Sequence, residues 1–73
     1  MTHYNLDADA ILALMKPSRL AELYMDLEEL ADGQEGDALV KTQQIASLVH
    51  AVLGAAVGPE DARVLIRLAR LNA

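Results

Sequence analysis

Few side chains in this 73-residue chain are equipped for chemistry: two histidines, eleven carboxylates, three arginines close together near the C-terminus, and no cysteine. His50 falls on the polar side of a helical pattern. Ala46, Ser47, Leu53 and Gly54 stand three and four residues away, so no imidazole or carboxylate shares its face as a zinc site requires. His3 stands alone. The missing cysteines exclude a thiolate metal site and a disulfide scaffold, and nothing marks an oxidising compartment. Carboxylates do acid–base work only where a cleft perturbs them, and here they are spread along amphipathic segments as a solvated face. No Ser–His–Asp order, phosphate-cradling glycine loop or HExxH string is present. The chain therefore reads as a non-enzyme with no metal or cofactor.

What remains is a chemistry of surfaces. Arg63, Arg67 and Arg70 recur at i, i+4 and i+7, one stripe on a helix that is otherwise apolar from Ala62 to Leu71. Leu65, Leu68 and Leu71 are the expected apolar anchors for a protein partner, with the three arginines setting its orientation. Tyr24 and Met25 are the candidate anchors on the acidic side of the molecule.

Four helices are expected to carry these residues, at about 8–16, 18–31, 38–57 and 59–71, in a single helical domain. Ala and Leu, 13 residues each, dominate the apolar composition. The first helix starts behind Asp7 or Asn5 and breaks at Pro17. The second starts with Ser18 as N-cap or Pro17 in its first turn, and its apolar line is Leu20, Leu23, Tyr24, Leu27, Leu30 and Ala31. Asp32-Gly33-Gln34-Glu35-Gly36-Asp37 is read as a helix C-cap followed by an N-cap at Asp37. The competing version, one helix through both glycines, costs about 1 kcal/mol at each. In the third helix Ile45, Leu48, Val49, Val52, Leu53 and Ala56 line the expected core face. No formally charged residue occurs from Thr42 to Pro59. That run is too short and too interrupted by polar residues for a bilayer span. Gly54 and Gly58 have the spacing of a close helix approach, but Gly58-Pro59-Glu60-Asp61 reads more simply as stop and restart.

Residues 1–37 hold nine acids against two bases, whereas residues 38–73 hold two acids against four, for a total charge of −5. Such asymmetry orients association between copies, or sets register within one chain by laying arginines beside the second helix. A core of Leu, Ile, Val, Met and Ala in so short a chain gains by sharing surface. The last helix, apolar over roughly two-thirds of its circumference, needs two neighbours. The expected architecture is thus all-α: a small bundle of three to four short helices completed by homodimerisation. The expected role is a cytoplasmic protein-binding module, an adaptor, chaperone or inhibitor. The alternative is a dimeric helix-turn-helix regulator reading DNA with Arg63, Arg67 and Arg70, which the net acidity and the small number of clustered bases disfavour. The acidic N-terminal stretch shows no secretory pattern. In size, acidity and helix count the chain is similar to acyl carrier proteins. However, Asp37-Ala38-Leu39 stands where their prosthetic-group serine would be, so a carrier role is not implied.

Overall fold

A computed structural model describes residues 8–72. It contains four helices, α1 (Ala8–Ala13), α2 (Pro17–Asp32), α3 (Asp37–Val57) and α4 (Pro59–Leu71), and no strand among the described residues. No helix there is long and apolar enough to cross a membrane. The candidate caps Asn5 and Asp7, and His3, lie outside the described residues.

α1 ends three residues earlier than its sequence suggests. The amides of Leu14 and Met15 bond back three residues, to Ile11 and Leu12, so the chain tightens before Pro17 is reached. Lys16 is extended (φ −66°, ψ 145°), as a residue preceding proline prefers. Pro17, with no N–H to leave unpaired, opens α2 at its first position. Ser18 therefore lies inside the helix, and no side chain caps this end.

The double-glycine turn separates α2 from α3, but the glycines divide the labour differently from the expected cap pair. Gly33 ends α2 at an ordinary negative φ of −99°, while Gly36 takes the left-handed φ of 68° that swings the chain into α3. Asp37 is then the first helical residue, where its charge meets the positive end of the helix dipole, and it makes no capping hydrogen bond. Gln34 is tied down by the hydroxyl of Thr42, which donates to its side-chain carbonyl. Thr42 is the buried polar residue of the core, and this bond satisfies it.

α4 packs on both α2 and α3, α2 packs along α3, and α1 lies mainly against α3. Leu20, Ala21, Val49, Leu53 and Ala62 form the fully buried centre. Leu12, Leu23, Tyr24, Leu27, Val52, Leu65 and Ile66 are among the half-buried side chains around it. The molecule measures 43 × 29 × 17 Å. Two helix layers with axes 8–10 Å apart account for about 13–15 Å of Cα thickness, so its shortest dimension is close to two layers. In a two-layer arrangement every helix keeps one face outside.

That geometry selects a different inward face for α3 from the one expected. Thr42, Val49 and Leu53 are buried, whereas Ile45 is 50% exposed and Ala56 is exposed. At about 100° per residue the buried arc is turned by about 50° from the expected line. The reason is that α3 lacks charge almost all round, so its periodicity leaves the inward direction open. On α2 the expected line holds at Leu20, Leu23, Tyr24 and Leu27, while Ala21 is buried as well and Leu30 is exposed.

Candidate functional site

Two surfaces collect the polar and apolar groups that sequence singled out. The first is an open cleft of about 690 Å³ between α2 and α3, bounded by Tyr24, Leu27, Glu28 and Asp32 on one side and by Gln43, Ser47 and His50 on the other. Tyr24 is half-buried, and its ring leans on His50 with centroids 5.3 Å apart and planes at 58°. Arg70 reaches from α4 to donate to the Glu28 carboxylate at 2.9 Å. Both partners are well exposed, so this pair orients α4 on α2 more than it stabilises the fold. Arg70 thus takes the within-chain role that charge asymmetry allowed. The other ion pair among the described residues, Arg19 with Glu22 one turn along α2, is more exposed still.

Burial pushes the Tyr24 hydroxyl above the ordinary phenol range. The adjoining Glu28 carboxylate adds to the shift, and Arg70 opposes it. A folded-state value raised above that of the unfolded chain means that the stability contributed by this group is complete below pH about 10 and is lost as pH rises through the folded value. In a Tyr4→Phe background, which leaves Tyr24 as the single phenol, tyrosinate absorbance should appear later than in free tyrosine. Glu28→Gln should bring it part of the way back, because desolvation remains. Titration at the ordinary phenol value would show that the cleft does not shield this group.

The second surface is the outer side of α4. Val64, Leu68 and Leu71 are 51%, 49% and 75% exposed and follow one another at i, i+4 and i+7. Arg63 and Arg67 run beside this ridge, exposed and without an ion-pair partner among the described residues. Of the anchors expected from sequence, Leu68 and Leu71 are on the ridge, but Leu65 is half-buried and packs against the core with Ile66 and Ala69. Val64 takes its place. The i, i+4, i+7 spacing of Val64 was legible, but only the position of Ala62 at the core shows which leucine turns inward. On the acidic side Tyr24 belongs to the cleft and the core margin, and Met25 is half-buried outside the core cluster.

No family model, curated protein or solved structure matches this chain.

A third feature is an apolar groove of about 550 Å³ along α3, lined there by Leu48, Ala51, Val52, Ala55 and Ala56 and bounded by Ala13 of α1 and the buried Leu20 of α2. Sequence placed Leu48, Val52 and Ala56 on the core face; Val52 does pack at the core margin and Leu48 is half-buried, but Ala56 is exposed. No group of three His, Asp or Glu side chains among the described residues is placed to hold a metal ion.

Proposed function

We propose that this protein is a small protein-binding module, acting as a homodimer, that docks a helix of its partner on the outer face of α4. The observation that carries this reading is the exposed ridge of Val64, Leu68 and Leu71 bordered by Arg63 and Arg67. Three apolar side chains at helical spacing offer anchors to a partner helix, and the adjacent cations favour one whose own apolar line is flanked by acids. Leu68 sits at the centre, where desolvation is most complete and truncation most costly. The arginines act on orientation and encounter rate, so binding should weaken with salt. A cytoplasmic adaptor, chaperone or inhibitor role fits this mode of docking.

The DNA-binding alternative draws less support. Arg70 is engaged by Glu28, so the α4 stripe offers two arginines to phosphate on a chain of charge −5.

Partner capture from the native cell with wild type, Leu68→Glu, Arg67→Glu and an α2 control, Glu29→Ala, tests the proposal. A protein held by wild type and the control, lost with Leu68→Glu and held more weakly with Arg67→Glu, is the expected result. Identical recovery by all four chains would remove α4 as the docking face. Duplex binding with a steep salt slope that Arg67→Glu abolishes would favour the alternative.

A further inference from the structure

We infer that the outer face of α3 between Thr42 and Val57, a stretch without formal charge, is the surface on which a second copy of this chain docks about a two-fold axis, leaving α4 free for a different partner. The inference rests on the homodimer part of the reading above and names the face that makes it.

The argument begins with symmetry. A two-fold contact is isologous, so a patch meets itself and any charge near the axis meets its own kind. For a chain of charge −5 this is a strong selection among faces. The outer side of α2 carries the exposed Glu22, Asp26 and Glu29, and the ridge of α4 is lined by Arg63 and Arg67. On α3 the run from Thr42 to Val57 contains no formal charge at all. Over that run two acidic copies meet without setting α3 charges against one another.

The same face is apolar and incomplete. Ile45 is exposed on this helix, and along the groove, bounded by Ala13 of α1 and Leu20 of α2, Ala51, Ala55 and Ala56 are exposed and Leu48 and Val52 half-buried. The two-layer fold supplies no third layer above it, and a second copy does. With α3 antiparallel to its equivalent and the axis near Val52, Leu48 of one copy stands across from the small Ala56 of the other. Large side chains then fall into the spaces left by small ones, and the alanines permit the shorter end of the 8–10 Å helix separation.

Because the chain has no cysteine, single-cysteine variants report the contact directly. Ala55→Cys is expected to give covalent dimers with a short bismaleimide as concentration rises, and Val64→Cys on α4 is not. In sedimentation, wild type should move from one chain mass towards two. Ala55→Glu, at an exposed helical site that tolerates glutamate, should weaken that association about 100-fold or more. Mixing Ala55→Glu with Ala55→Lys should restore a mixed dimer, an outcome that damaged folding would not produce. If Ala55→Glu fails to fold, the cysteine pair decides. A wild type that stays monomeric, a dimer unaffected by Ala55→Glu, or cross-linking at Val64→Cys instead of Ala55→Cys overturns the inference. Partner docking is read separately with Leu68→Glu. Retained docking without the α3 dimer sinks this inference alone, while an α3 dimer with no α4 partner sinks only the docking reading.

Discussion

Leu53→Ala is expected to leave the chain largely unfolded at ambient temperature. Leu53 is fully buried, and of the five residues at the centre only Leu20, Val49 and Leu53 are larger than alanine. Truncating a buried leucine costs about 2–5 kcal/mol, through lost transfer energy and the cavity left behind. A core of this size supplies about 3–5 kcal/mol of net stability, so one such loss consumes most of it. Urea titration followed by far-UV circular dichroism reads the effect directly, with Leu14→Ala as a control at an exposed site. Leu14→Ala should stay within about 0.5 kcal/mol of wild type. A Leu53→Ala midpoint equally close to wild type would mean that stability is held elsewhere, for instance at the surface shared between two copies. Raising the protein concentration would separate these cases, since a dimer-held fold becomes more stable with concentration and a self-sufficient one does not.

The second large effect concerns two glycines four residues apart that should respond to alanine with opposite sign. Gly58 alone connects α3 to α4: its N–H donates to the Gly54 carbonyl at 2.8 Å, and its own carbonyl accepts from the Ala62 N–H at 2.9 Å. To serve both helices it adopts φ 90° and ψ 157°, a region that side chains with a Cβ rarely enter. Gly58→Ala should therefore cost about 1–3 kcal/mol, even though an added methyl would meet open space. Gly54 lies within α3, and a Cβ there also meets nothing within 4 Å. Gly54→Ala should stabilise the fold by about 0.5–1 kcal/mol through helix propensity. Thermal melts of the two variants check the pair. A neutral Gly58→Ala would show that the corner relaxes into another connection, and a destabilising Gly54→Ala would restore the close-approach reading of the Gly54–Gly58 spacing.

These glycines also show what kind of information the chain carries openly. Break points were legible because they depend on local backbone chemistry: Pro17 has no amide to pair, and Gly36 and Gly58 reach dihedrals closed to other residues. α4 starts at Pro59 as expected for that reason. α1 was not, because its early end depends on two backward hydrogen bonds in the turn and on no particular side chain. The arginine stripe was visible as a pattern. That Arg70 belongs to Glu28 while Arg63 and Arg67 stay open required the placement of α4 on α2, a contact spanning 42 residues.

Composition and spacing by themselves determined that the chain is all-helical, where its helices divide, that acids gather in its first half, and that α3 carries no formal charge from Thr42 onward. Only the tertiary structure decided which arc of each helix turns inward. The physical reason is that apolar burial is non-directional. On α3, which is apolar nearly all round, and on α4, with leucines on two sides, several rotations bury similar area. The choice falls to how closely neighbours approach and which polar groups must be satisfied. Ala21 and Ala62 at the centre, Thr42 bonded to Gln34, and Arg70 on Glu28 settle it, and in doing so leave Leu68, Leu71, Ala51 and Ala55 facing outward.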